Sequence, residues 1–315
     1  MTNNKVGIII ETGKNRVKNA VFGMITLAKK QNFLVYAFVS DVLTLEIKKE
    51  LEDYGINNIV DINIADNKNP VLLANAFVKV IEDFEIDNVF GLSIGFSKDI
   101  LARMAAKVFC PLVLDCVDVN LKDKIAVRSQ YSGKTMADIK LEGKISFFGI
   151  RPNSITPQKQ SSDTKVLPFL YDVKEMDSFL IVSDDAKMKS SEQKNNLVEA
   201  DIIIAGGRGM KNKENFDLLF ECAKKMNACV GASRVAVDSN WVPYSMQIGQ
   251  TGEKVSPQVY LACGISGSIQ HFAGMKTSKI IIAINHDPDA PIMSNCNYFV
   301  NADLFKIIDE LIKQL

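Results

Sequence analysis

Short apolar, β-branched runs alternate with amphipathic stretches along the first hundred residues. Residues 6–10 read as a strand, and 16–30 then set Val17, Val21, Met24 and Ala28 on one helical face. A β-rich run at 33–39 follows, then a charged helix near 43–51 and a strand at 59–64. Next come a helix near 71–84, a strand at 89–94 and a helix near 98–108 with Ser97 in the N-cap position. This βαβα order predicts a mostly parallel sheet covered by helices.

From Pro111 the pattern changes. Residues 112–119, 125–131, 137–141 and 144–150 read as strands without helices between them, and Gly133 and Gly143 supply turns. That stretch predicts an antiparallel portion. The polar segment 187–194 reads as a linker, after which alternation resumes: a strand at 201–205 and a helix at 214–226 with Phe216, Leu219, Phe220 and Ala223 inward. Further strands follow at 228–231, 259–263 and 279–284. A closing helix at 303–315 turns Leu304, Ile307, Ile308 and Leu311 inward. The expected organisation is two α/β domains, 1–190 and 191–315.

Composition narrows the partners. A chain of 315 residues accommodates two domains, each with its own core. Lys+Arg and Asp+Glu both total 37, so no net field selects nucleic acid or an anionic membrane. No apolar run approaches the roughly 18 residues of a membrane span. The apolar run before Glu11, about five residues, is too short for a signal peptide, so the cytoplasm is the expected location. The six cysteines form no CxxC pair and there are only two histidines, which predicts buried free thiols and no metal site.

The candidate chemistry lies in the second half. Glycine and small polar residues gather at predicted strand ends: GGRG (206–209), GASR (231–234), IGQTG (248–252), GISGSIQH (264–271) and NHDPDAP (285–291). Ligands of open parallel sheets bind outside those ends, where glycine lets the backbone approach a phosphate. The clustering indicates a nucleotide site. GxGxxG and the Walker pattern are absent, so the turns alone do not say which nucleotide. Arg208 and Arg234 each follow a strand and glycines, where a cation needs an anionic partner. Asp303 fits a helix cap as well as a ligand contact, Asn285 fits a turn opener as well, and Trp241 reads as a loop anchor. His271 is either a core histidine or a donor to an electron-rich ligand. No Ser–His–Asp set, paired carboxylates or Cys–His nucleophile emerges, so any chemistry resides in a cofactor.

GGRGMKNKENFDLL, VGASRVAVD, MQIGQTGEKVSPQVYLACGISGSIQHFAGM and AINHDPDAPI, in that order across residues 200–305, resemble the α subunit of electron transfer flavoproteins. The first domain matches more loosely, mainly in its overall layout and in the region of RSQYSGK. The resemblance implies a C-terminal doubly wound FAD-binding domain and an N-terminal scaffold that faces a β subunit in a heterodimer. It marks as cofactor-binding Arg208, Ser233, Arg234, Ile248, Gly249, Gln250, Thr251, Ser266, Gly267, Ser268, Ile269, Gln270, His271, Asn285, Asp303 and Leu304. By the same carry-over the 266–270 turn faces the pyrophosphate and ribityl chain, and Asn285 and Asp303 serve the adenosine end. His271 is expected beside flavin O2, the Thr251 hydroxyl beside N5 and Arg234 near the ring.

The implied role is an electron carrier and not an enzyme, with no metal and no catalytic residue of its own. It relays single electrons from flavoprotein dehydrogenases, such as the acyl-CoA dehydrogenases of fatty acid β-oxidation, to a membrane quinone oxidoreductase. An NADH-dependent, electron-bifurcating complex is the alternative. Four departures from the family pattern stand out: His286 for Lys, Asn240 for a small residue, Tyr244-Ser245 for Asn-Asp, and Glu253 for Lys. None is expected to touch Thr251 or His271.

Overall fold

The computed structural model describes residues 4–13, 15–64, 66–131, 133, 135–172 and 196–315. The chain forms two compact units, Met1–Ser129 with Met136–Met188, and Gln130–Thr135 with Lys189–Leu315. The segment 187–194, expected as a linker, lies outside the described residues.

The first unit begins with β1 (Lys5–Ile9) and a short ladder of β2 (Thr12–Gly13) and β3 (Arg16–Val17). It continues through α1 (Asn19–Lys30), β4 (Leu34–Val39), α2 (Leu45–Tyr54), β5 (Asn58–Asn63), α3 (Pro70–Asp83), β6 (Asn88–Leu92) and α4 (Gly95–Lys107). Then come β7 (Leu112–Asn120), β8 (Ile125–Gln130), β9 (Thr135–Lys140), β10 (Ser146–Ile150) and β11 (Lys165–Leu170). Their nine-stranded sheet runs β11-β5-β4-β1-β6-β10-β7-β8-β9. One apolar core packs α1 and α2 against one face, and a second packs α3 and α4 against the other.

Local chemistry sets the helix ends. The Thr44 side chain accepts from the Ile47 amide to open α2, and Gly55, at φ 96, ends it in the left-handed conformation. Asn69 accepts from the Val71 and Leu72 amides to open α3, with Pro70 in the first helical position. Ser97 does not cap α4 as expected: it lies inside the first turn, and its amide donates instead to Glu11 Oε1 at 3.2 Å. The other Glu11 oxygen pairs with Lys18 Nζ at 2.8 Å. The cap therefore arrives from the end of β1, a non-local solution that local spacing does not reveal.

The antiparallel expectation holds for β7 and β8. It fails for β10, which pairs parallel with both β6 and β7. The reason is burial: every β10 residue is buried, as in a central parallel strand covered on both faces. Residues 16 and 17 belong to β3 and not to the first helix. β11 was not anticipated; it adds parallel to β5 at the sheet edge, where Pro168 is tolerated.

The second unit is β12 (Ile202–Gly206), α5 (Phe216–Met226), β13 (Cys229–Ala232), α6 (Arg234–Asp238), β14 (Val259–Cys263), α7 (Ile269–Met275), β15 (Ile280–Asn285), β16 (Tyr298–Asn301) and α8 (Leu304–Gln314). Its five strands, in the order β13-β12-β14-β15-β16, are all parallel. α5 and α8 pack one face; Ile248, Val255, Met275 and Ile292 cover the other. Phe220, expected inward, is 40% exposed, and Cys222 takes its place in the core. On α8, Leu304, Ile308 and Ile312 are buried, while Ile307 and Leu311 pack at the margin.

Candidate functional site

The turns after all five strands of the second sheet enclose a cavity of about 1040 Å³, at the upper end of small-ligand pockets. β12 leads into Arg208 and Gly209, β13 into Ser233 and Arg234, β14 into the 264–271 turn, β15 into His286, and β16 into Asp303. The loop 247–251 completes the wall. Every residue marked by the resemblance lines this cavity except Ile269, which is exposed and does not contribute to it.

Glycines bring these turns together. The chain leaves β12 for β13 on one side and later returns to β14 on the other, so the switch point of the sheet lies between β12 and β14. A Cβ on Gly209 would lie 2.6 Å from Gly264 Cα, and one on Gly264 would lie 2.7 Å from Gly209 Cα. GGRG and GISG therefore cross backbone on backbone. Gly274 on α7 makes the same kind of approach: a Cβ there would meet the Gly249 nitrogen at 2.4 Å.

His271 sits on α7, whose first turn is capped by the Ser268 side chain. It is 5% exposed, and Nε2 lies 2.9 Å from the Tyr260 hydroxyl. Burial lowers its pKa to about 4, with a smaller opposing contribution from the Ile248 backbone, so the ring is neutral at pH 7. That backbone group does not reach hydrogen-bonding geometry with Nδ1, which is buried without a partner. The Ser233 hydroxyl is in the same condition. Among the described residues of the second unit, these are the two buried side-chain polar atoms left unsatisfied, and both residues line the cavity. Unsatisfied buried polar atoms cost about 1–3 kcal/mol each, a penalty that a polar ligand relieves.

The pKa of His271 gives a prediction. Unfolded, the ring takes its proton near pH 6.5; folded, it resists protonation until about pH 4. Between these values the unfolded state binds more protons, so stability falls as pH falls, by roughly 3 kcal/mol across the window. Denaturant titrations of the ligand-free protein at pH 7, 5.5 and 4.5 should show this loss, and His271→Gln should reduce it.

The remaining residues have mixed duties. Asn285 is buried; its amide donates to the Ile265 carbonyl at 3.1 Å, and its Oδ1 accepts from the Asp287 amide at 3.1 Å. It ties two turns together as well as lining the wall. Asp303 lines the cavity and caps α8 through Oδ1, 3.0 Å from the Phe305 amide. Arg234 opens α6, is largely exposed, and pairs with Asp238 at 3.2 Å. Thr251 Oγ1 accepts from Gln247 Nε2 at 3.1 Å, which leaves its own proton to donate elsewhere.

Three contacts were not foreseen. Tyr244 donates its hydroxyl to the Thr251 carbonyl, so one of the departures does touch the Thr251 loop. Only folding of the short turn after Pro243 brings them together. Lys211, not singled out, lines the cavity with its ammonium 5.1 Å from the centre of the Phe305 ring. Gln247 was visible within MQIGQTG, but its role behind Thr251 follows only from the loop's geometry. Of the other departures, Asn240 occupies a left-handed position at φ 57, which suits Asn or Gly. His286 lies exposed on the cavity wall.

Among the described residues, no group of three or more His, Cys, Asp or Glu could hold a metal ion. No described helix is long and apolar enough to cross a membrane. The six cysteines are free.

Residues 6–168 match the family model of the electron transfer flavoprotein domain, and residues 196–276 that of the electron transfer flavoprotein FAD-binding domain. The mitochondrial alpha subunit of an electron transfer flavoprotein from Oryza sativa subsp. indica is 39% identical over 236 residues. That match covers 72% of this chain and 64% of the rice protein, just under two thirds of its length. An electron transfer flavoprotein subunit alpha from Bacillus subtilis is 36% identical over 274 residues, covering 85% of this chain and 83% of its own. One from Syntrophomonas wolfei is 31% identical over 312 residues, covering 98% of both. With both family models matched in order, and the second one falling on the unit that holds the cavity, this chain belongs to the electron transfer flavoprotein alpha subunits and carries their FAD-binding domain.

Proposed function

We propose that the cavity of the second unit is where this chain holds its FAD, and that the loaded protein is an electron carrier paired with a beta subunit. The observation that carries this reading is the convergence of glycine turns from adjacent strand ends on a cavity lined by Ser233 and His271, each of which carries a buried polar atom without a protein partner. Those groups fit a ligand with a long polar chain and an electron-rich ring. Arg208 and Lys211 give the wall positive charge suited to a pyrophosphate, beside the crossing of GGRG and GISG. Asn285 and Asp303 serve the adenosine end. His271, Thr251 and Arg234 serve the flavin ring, where two neutral donors and a cation favour added electron density.

FAD supplies redox chemistry of one or two electrons when bound; the chain's own groups bind it, orient it and set its potential. The donors proposed are flavoprotein dehydrogenases such as acyl-CoA dehydrogenases, and the acceptor is a membrane quinone oxidoreductase. Purification with the beta subunit, release of bound flavin and its quantification should give one FAD per heterodimer. Substrate-reduced acyl-CoA dehydrogenase should then bleach that FAD. Two FADs per heterodimer, with NADH as reductant, would replace the carrier reading by the bifurcating one.

Arg234 provides a graded check. An exposed guanidinium already paired with Asp238 stabilises negative charge by about 0.5–1 kcal/mol, roughly 10–20 mV for a two-electron couple. Arg234→Ala should lower the potential by that amount in spectroelectrochemical titration, and less at high salt.

A further inference from the structure

Behind His271 lies a second group that none of the ligand-facing roles uses. Tyr260, on β14, is fully buried, and its hydroxyl meets His271 Nε2 at 2.9 Å. Burial raises the phenol's pKa well above 10, so the hydroxyl keeps its proton. Tyr260 is not part of the cavity wall; His271 is.

The hydrogen between the two rings has two possible arrangements. If Nε2–H donates to the phenol oxygen, the phenol's own proton is left buried without an acceptor among the described residues. Nδ1 is then a bare lone pair, also unsatisfied. If the phenol donates to Nε2, the imidazole carries its proton on Nδ1, and that N–H is the pair's one unsatisfied group. The second arrangement leaves fewer buried polar atoms without partners, each of which costs about 1–3 kcal/mol.

We infer that Tyr260 is a positioning residue: its hydroxyl donates to Nε2, fixes His271 as the Nδ1–H tautomer, and leaves Nδ1–H as the neutral donor available to the ligand. This rests on the reading of the cavity as the flavin site. A histidine free to exchange tautomers would offer a lone pair part of the time, repelling the electron-rich oxygen it is meant to hold.

The test is nitrogen NMR of the full chain labelled with ¹⁵N-histidine, co-purified with its partner and loaded with FAD. The signals missing from His271→Gln identify His271. The expected spectrum shows Nδ1 protonated and Nε2 bare; Tyr260→Phe, which keeps the ring's shape, should show both tautomers. With about half the population in the wrong tautomer, the same variant should bind reduced FAD about twofold less tightly relative to oxidised FAD, which is a potential lower by about 10 mV for two electrons. An Nε2–H tautomer in the unmodified protein overturns the inference. So does a Tyr260→Phe protein that melts lower with tautomer and potential unchanged, the signature of packing alone. If the chain takes up no flavin, the cavity reading fails, while the ¹⁵N spectrum of the unloaded chain still decides the tautomer.

Discussion

His271→Ala is expected to lower the reduction potential of the bound flavin by roughly 30–65 mV, while oxidised FAD stays bound with modestly weaker affinity. The ring is neutral at pH 7, since burial holds its pKa near 4, so its contribution is that of a donor and not of a fixed charge. Nδ1 has no protein partner, so the bond it makes to a ligand is not exchanged for one inside the chain. A hydrogen bond to a charged group contributes about 1.5–3 kcal/mol, which gives the range of potential for a two-electron couple. Oxidised flavin is uncharged at the same atom and gains less, which is why the effect falls on potential more than on affinity. His271→Gln keeps a neutral donor and should lose less. A core histidine predicts a different result: both variants melt at lower temperature, with potential unchanged. Redox titration of the three proteins beside a dye of known potential separates the outcomes.

Gly264→Ala should be among the most damaging single-methyl additions in the second unit. Gly264 has φ +61, a conformation that costs an L-residue roughly 1–2 kcal/mol. The added methyl would sit 2.7 Å from Gly209 Cα and 2.8 Å from Leu304 Cδ2. The first neighbour is backbone and cannot rotate away, so overpacking adds about 1–3 kcal/mol. Together these predict a loss of about 2–5 kcal/mol in urea titration. FAD retention should fall too, because the turns bearing Arg208 and Ser266 are forced apart. Gly13→Ala, where nothing lies within 4 Å of the added carbon, is the control and should be near neutral. Equal effects of the two substitutions would mean that the GGRG–GISG crossing is not what holds the cavity together.

What the chain reveals before folding follows from the range of the interactions involved. The strands at 202–206, 259–263 and 280–285 stand out because each is built on a continuous apolar run, broken in the last only by its terminal Asn285, as a strand covered on both faces must be. The glycine turns stand out because close backbone approach has few other solutions. Pairing order does not: the insertion of β10 between β6 and β7 joins strands far apart in sequence, and only its complete burial marks it as central. β16 and α6 were missed: no residue of the edge strand β16 is fully buried, whereas most of β13 is, and the five residues of α6 carry little periodicity. In the site, residue types were legible and their partners were not. Tyr260 looks like one more apolar position in VYLAC, and Tyr244 like a loop residue. Their hydroxyls acquire meaning only beside His271 and Thr251. The cap that Glu11 supplies to α4 is hidden for the same reason.

The central claim, that FAD occupies the cavity at the strand ends of the second unit, is tested most directly by filling it. Ser266 lines the cavity and is exposed, so Ser266→Trp introduces bulk without disturbing a buried contact. The measurement is FAD retained per chain after gel filtration of the complex with the beta subunit, alongside the melting temperature of the flavin-free form. The unmodified protein should retain one FAD per chain. Ser266→Trp should retain almost none, with that melting temperature unchanged. Full retention of FAD by a folded Ser266→Trp protein would place the cofactor elsewhere and contradict the account.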